Sequence, residues 1–150
     1  MEADLGHWVL SEGLEYDPEA FGMIYLITNK VTNKKYIGKK QCVSKVKRPP
    51  LKGKTRKRIT MKESDWRTYT GSSNELNADI AKYGKENFSF EILEWGGSKF
   101  ELGYKEIKRQ LQEDALLSEQ FYNGILNCRL SKPKYYVPYE QSKNKNLPKS

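Results

Sequence analysis

Histidine occurs once and cysteine twice in this chain of 150 residues. No apolar run approaches the roughly 20 residues that span a bilayer, so no membrane partner is expected. His7 stands among acids, reads as a surface histidine, and is no candidate for a general base. Cys42 and Cys128 lack metal-ligand partners nearby in sequence. They read as reduced, partly buried thiols rather than a disulfide framework or a zinc site. The first residues are acidic and no apolar stretch follows them, so no secretory signal is expected and the cytoplasm is the expected compartment. Internal repeats and coiled-coil heptads are also missing. A chain of 17.5 kDa is expected to form one compact domain with tails, large enough to bury a core.

Acidic residues are scarce where basic ones are dense. The formal net charge is +8, yet residues 1–21 carry six acids and no Lys or Arg. Residues 39–67 carry twelve basic side chains against Glu63 and Asp65, and residues 129–150 carry six against Glu140 alone. A cationic stretch of this density suits a polyphosphate partner, and DNA is the expected one. Lys39, Lys40, Lys45, Lys47, Arg48, Lys52, Lys54, Arg56 and Lys57 are the candidate DNA-binding residues. A protein-interaction domain that meets an acidic partner through this stretch is a weaker reading.

The pattern of apolar residues divides the chain into 1–21, an acidic extension; 22–128, a folded domain; and 129–150, a basic tail. The extension is expected to be partly helical and docked through Trp8, Leu10 and Leu14. Residues 23–28 and 35–39 are rich in β-branched and aromatic types and flank the turn-forming Asn29-Lys30-Val31-Thr32-Asn33-Lys34, which predicts a hairpin. Residues 43–61, with Pro49-Pro50 and Gly53, read as an exposed basic insertion, a loop or irregular ribbon. Ser72-Ser73-Asn74-Glu75 has the form of a capping box with Ser72 as N-cap, opening a helix along Leu76, Ile80 and Tyr83 that Gly84 ends. Phe88, Phe90 and Ile92 alternate as a strand. Ser98-Lys99-Phe100-Glu101 opens a second helix, expected to bury Phe100, Tyr104, Ile107 and Leu111 and to run to about Leu117. The order strand, strand, helix, strand, helix predicts an α+β fold: a small three-stranded antiparallel sheet flanked by helices, with a basic insertion and a flexible C-terminal tail.

Met23-Ile24-Tyr25 and Tyr36-Ile37-Gly38 place one tyrosine on each strand of the predicted hairpin, eleven positions apart. This arrangement resembles the GIY-YIG nuclease superfamily. The second tripeptide is literal, whereas in the first Gly22 stands one position too early. The run Lys82-Tyr83-Gly84-Lys85-Glu86-Asn87-Phe88 is also similar to phage-type members, the small stand-alone proteins related to homing endonucleases. The resemblance covers about residues 22–128. It implies a divalent-metal-dependent DNA endonuclease, using Mg²⁺ or Mn²⁺, in the bacterial host cytoplasm if the chain is phage-encoded. A homodimer would allow double-strand cleavage. The alternative is a nucleic-acid-binding module with a vestigial nuclease centre.

The resemblance implies roles for tyrosines, an arginine and a helix-borne glutamate. Tyr25 and Tyr36 are the catalytic tyrosines, and the cations after Gly38 are expected to lower their pKa values. Glu106 is the metal ligand, with Glu101 as the fallback. Asn123, in Tyr122-Asn123-Gly124, would orient Glu106 or a phosphate, or simply form an Asn-Gly turn; Asn127 is a second possibility. The family carries its arginine on a helix soon after the second tripeptide, where this chain has its Pro-containing insertion. Arg58 and Arg67 are both candidates, Arg48 is a lesser one, and Lys40 would take part of the role.

Overall fold

The computed structural model describes residues 4–124 and 133–139. Asn127, Cys128 and the remainder of the tail lie outside the described residues. The strands are β1 (Val9–Leu10), β2 (Gly22–Asn29), β3 (Lys35–Gln41), β4 (Val43–Arg48), β5 (Arg58–Glu63) and β6 (Phe88–Gly96). The helices are α1 (Asn74–Tyr83) and α2 (Lys99–Gln112), with short 3₁₀ turns at Trp66–Thr68 and Lys85–Asn87. No helix among the described residues is long and apolar enough to cross a membrane.

The class is α+β, but the main sheet has four strands, in the order β1-β6-β2-β3, not three. Its extra strand is β1, which runs parallel to β6 while the other pairs are antiparallel. The extension therefore supplies a strand where a partly helical segment was expected. Two contacts show why: Trp8 is 3% exposed and its indole N–H donates to the carbonyl of Trp66 at 2.5 Å. Ser11 N–H then donates to Ile92 O at 3.0 Å, holding the chain along the β6 edge.

Side chains alternate across β2, as a sheet covered on both faces requires. Met23, Tyr25 and Ile27 join the larger core with Trp8, Trp66, Leu76 and Phe90. Ile24 faces the other way, packing with Ile37 and Leu102 under α2. Gly22 and Gly96 lie opposite each other, and a Cβ on either would come within 2.3 Å and 2.7 Å of Leu102 methyl carbons. The displaced glycine of the first tripeptide thus lets α2 sit close to the sheet.

The insertion is a regular two-stranded ribbon, not an irregular loop. β4 and β5 pair from Val43↔Glu63 to Arg48↔Arg58. The apolar residues are too few to announce the strands: Val43, Ile59 and Met61 share one face, Val46 lies on the other, and Lys and Arg fill most of the remaining positions. The breakers Pro49, Pro50 and Gly53 occupy only the segment between the strands.

Both helices differ in detail from expectation. The N-cap of α1 is Ser73, whose hydroxyl accepts from Leu76 N–H at 3.2 Å, and Glu75 pairs with Lys34 at 2.6 Å instead of returning to the backbone. Ser98 does cap α2, accepting from Glu101 N–H at 3.1 Å, but the helix stops at Gln112. Its expected apolar stripe is misphased: Tyr104 is 51% and Leu111 57% exposed, whereas Glu101, Leu102, Gly103 and Gln110 are buried. The inward face reads polar because part of it meets backbone at a sheet edge. Finally, residues 133–139 of the expected flexible tail are laid against α2. Tyr136 hydroxyl and Tyr139 N–H both donate to Glu101 Oε2, at 2.5 and 3.0 Å.

Candidate active site

Tyr25 and Gly38 are direct partners across the β2–β3 ladder. The Tyr25 ring crosses above Gly38, so that a Cβ there would lie 2.4 Å from the Tyr25 hydroxyl and 2.9 Å from Cε1 of Tyr36. The glycine of Tyr-Ile-Gly is thus the gap that lets two tyrosines from neighbouring strands converge. Their ring centroids are 6.1 Å apart, and Tyr69 stands edge-on to Tyr25 at the same separation. Tyr25 is 1% exposed. Tyr36 is half-buried and its hydroxyl lies 3.1 Å from that of Ser72.

The outer edge of β3 positions the remaining groups. An edge strand presents unpaired N–H and C=O groups that must find partners when covered. Lys35 N–H donates to Gln120 O at 2.8 Å, and Tyr122 N–H donates to Lys35 O at 2.7 Å. One rung further, Asn123 replaces backbone with its side-chain amide: its Oδ1 accepts from Ile37 N–H at 3.1 Å and its Nδ2 donates to Ile37 O at 2.8 Å. Gln110 Nε2 donates to the same carbonyl at 3.0 Å. The next outward N–H, that of Lys39, faces the Glu106 carboxylate and favours its charged form. Glu106 and Gln110 are one helical turn apart on α2, so one stripe of α2 brings the carboxylate against the edge of β3.

These groups border a cleft of about 630 Å³, lined by Tyr36, Lys39, Tyr69, Ser72, Glu106 and Asn123 among others. Tyr122 supports one side, its hydroxyl donating to Asp79 Oδ2 at 2.7 Å and accepting from Asn29 Nδ2 at 3.1 Å. Burial raises the pKa of Glu106 above its ordinary value of 4.5, against the pull of Lys39. Burial likewise lifts Tyr25 well above 10, reinforced by Tyr36, Tyr69 and Glu106, and raises Tyr36 against the opposing effect of its hydrogen bond with Ser72. The expected lowering by nearby cations is therefore reversed in the protein alone. Desolvation is the largest cause at both tyrosines, and most of the lysines after Gly38 are exposed on the ribbon.

The family model described as "Putative endonuclease segE, GIY-YIG domain" matches residues 8–126. The chain belongs to the GIY-YIG endonuclease family. No curated protein and no solved structure matches it significantly. The match begins at Trp8, in keeping with the burial of that residue beneath the sheet.

Within this GIY-YIG domain, Tyr36, Glu106 and Asn123 share the cleft, while Tyr25 lies behind Tyr36 in the core. The arginines are elsewhere. Arg58 is on the exposed ribbon, with its Nε donating to Pro49 O at 3.3 Å. Arg67 covers Trp66 and is held by Glu63 and Asp4. No arginine lines the cleft among the described residues, because the ribbon follows β3 where the family has a helix. Among the described residues, Lys39 is the cation at the cleft. Lys40 instead pairs with Asp65 at 2.9 Å and lies 4.3 Å from the centroid of the Tyr69 ring. Lys45, Lys47, Arg48, Lys52, Lys54, Arg56 and Lys57 are exposed on the ribbon and its tip, and Arg48 Nε lies 3.3 Å from Thr60 Oγ1.

Glu101 has no capacity left as a fallback ligand. Burial alone would raise its pKa, but hydrogen bonds from Tyr136, Tyr139 N–H and Lys105 bring it below the ordinary value. His7 is half-buried, not a free surface side chain: its ring stacks on Phe90 at 3.9 Å, and burial lowers its pKa to about 4. Gln110 and Tyr69 are cleft residues that pattern reading missed. The spacing Leu102, Glu106, Gln110 at i, i+4 and i+8 would have exposed the inward stripe of α2 if polar residues had been admitted to it.

Proposed function

We propose that this chain is a divalent-metal-dependent endonuclease that hydrolyses phosphodiester bonds of DNA at the β3–α2 cleft. The observation that carries the reading is the convergence of Glu106, Lys39 and Tyr36 on one open cleft, with Glu106 beside the edge of the Tyr25–Tyr36 hairpin. Among the described residues no group of three or more His, Cys, Asp or Glu forms a metal cage. A single carboxylate nevertheless fits Mg²⁺ or Mn²⁺, which are usually held by one or two carboxylates together with water and substrate phosphate. Burial raises the Glu106 pKa, so its anionic form lacks full compensation and gains from a cation. When bound, the ion would neutralise charge on the phosphate and favour attack by water.

The chain's own residues supply the rest. Glu106 holds the negative charge that fixes the ion and loses that capacity as pH falls through its raised pKa. Lys39 offers the scissile phosphate a point charge in place of the bidentate contact of an arginine. Tyr36, protonated at neutral pH, donates to the phosphate or the attacking water, and Ser72 orients its hydroxyl. Tyr25 acts as a positioning residue behind Tyr36. Asn123 keeps Ile37, and so the strand beneath Lys39 and Glu106, in register. Cutting both strands would take two copies of the chain or two successive nicks.

The absence of an arginine at the cleft among the described residues favours a second reading, a DNA-binding module with a vestigial centre. Supercoiled plasmid incubated with the protein and Mg²⁺ or Mn²⁺ separates the two. Conversion to nicked or linear DNA that EDTA abolishes supports the nuclease. Retardation of intact plasmid without cleavage in either metal supports the binding module.

A further inference from the structure

The two faces of the β4–β5 ribbon are rooted in different surroundings. Alternation along the paired strands puts Ser44, Arg48, Lys62 and Arg58 on one face and Lys45, Lys47, Ile59 and Met61 on the other. At the root, Ser44 of the first face lines a basic hollow of about 290 Å³ with Lys39, Lys40, Ser64 and Lys99. Val43 and Glu63 of the second face open instead on a hollow of about 330 Å³ that includes Asp17. Lys39 lines both the basic hollow and the active-site cleft. One face of the ribbon is thus continuous with the cleft through cations, and the other is not.

Charge pairing points the same way. Asp65 is committed to Lys40, while Lys62, Lys99, Arg48 and Arg58 make no salt bridge among the described residues and Lys39 feels the charge of Glu106 without forming one. Arg48 and Arg58 sit directly opposite each other at the far end of the ribbon. Like charges at opposed positions destabilise an antiparallel pair, and an anion lying over them relieves that repulsion.

We propose that a phosphate track for one DNA strand runs from the Glu106 cleft over Lys39 and Lys99, then along the Ser44/Lys62/Arg48/Arg58 face of the ribbon. Lys62 and Lys99 are its new members. Lys45 and Lys47, though part of the same basic stretch, point away from it. The inference rests on the DNA reading above and specifies which side of the ribbon the nucleic acid follows.

The test compares two charge-matched variants, Lys62→Gln/Lys99→Gln and Lys45→Gln/Lys47→Gln, for binding to a duplex DNA of random sequence across a salt series. All four side chains are exposed, and circular dichroism checks that both variants fold. Each phosphate contact contributes about 0.9 to the slope of log affinity against log salt. The first variant should lose about 1.8 from the slope, and the second less than half of that. Equal losses, or a larger loss in the Lys45/Lys47 variant, would overturn the track while leaving DNA binding standing. Failure of the unmutated protein to bind duplex DNA at low salt would overturn both.

Discussion

Replacing Gly38 with alanine isolates the geometric core of the site. Alanine in place of glycine within a strand ordinarily gains about 0.5–1 kcal/mol by restricting the unfolded chain. Here the added Cβ meets the Tyr25 hydroxyl at 2.4 Å, Cζ of Tyr25 at 2.6 Å and Cε1 of Tyr36 at 2.9 Å. All three lie inside the closest approach of ordinary carbon contacts, and Tyr25 is packed too tightly to swing away. Overpacking of this kind costs about 1–3 kcal/mol, so a net loss of roughly 1–2 kcal/mol is expected after the backbone gain. Urea denaturation, compared at unchanged m-value, measures it. Tyr25→Phe in the Gly38→Ala background removes the nearest clashing atom and should restore part of the loss. A Gly38→Ala protein as stable as the parent would refute the packing argument, and with it the explanation of why the second tripeptide ends in glycine.

The other predictions concern packing at the two termini. Deleting residues 133–150 takes two donors from Glu101, a carboxylate 1% exposed. Stability should fall by about 1–3 kcal/mol, and a truncated protein with unchanged midpoint would show the strap to be incidental. Because Glu101 is held below its ordinary pKa in the fold, its contribution is present at neutral pH and disappears as pH falls through that lowered value; Glu101→Gln should flatten the acid limb of the stability curve. His7 titrates near 4 in the fold against 6.5 ordinarily, so the unfolded chain binds the extra proton between those values. Stability should therefore decline as pH drops from 6.5 towards 4, and NMR of the single histidine should give a pKa well under 6.5. A His7 resonance titrating at its ordinary value would place the ring in solvent.

Much of this was legible because side-chain period and capping chemistry are local. The Tyr25–Tyr36 hairpin, the strand through Phe88, Phe90 and Ile92, and the Ser98 cap follow from residues within a few positions of one another. What pattern reading missed depends on distant partners. Val9–Leu10 is too short to announce a strand and exists because Trp8 finds Trp66 and Ser11 finds Ile92. The phase of α2 was hidden because its inward residues Glu106 and Gln110 meet the backbone of an edge strand, a role that hydrophobic periodicity does not score. The ribbon was hidden by its charges. Arg58 and Arg67 looked equivalent as catalytic candidates in sequence, and only the path of the chain after β3 removes both from the cleft.

The central claim is that Glu106 acts as the charged ligand of the cleft, not as a structural residue. Glu106→Gln keeps an oxygen facing Lys39 N–H and keeps the helix-forming length of the side chain. Burial raises the Glu106 pKa, so ionisation costs folding free energy as pH rises above 4.5, and the neutral amide escapes that cost. The variant should therefore be at least as stable as the parent at pH 7 and bind duplex DNA equally or slightly better. Plasmid cleavage measured with Mg²⁺ on this folded, DNA-binding variant is the decisive experiment. The account predicts a fall in rate of at least about a hundredfold, the scale of losing one transition-state charge contact. Cleavage at the parental rate would contradict it.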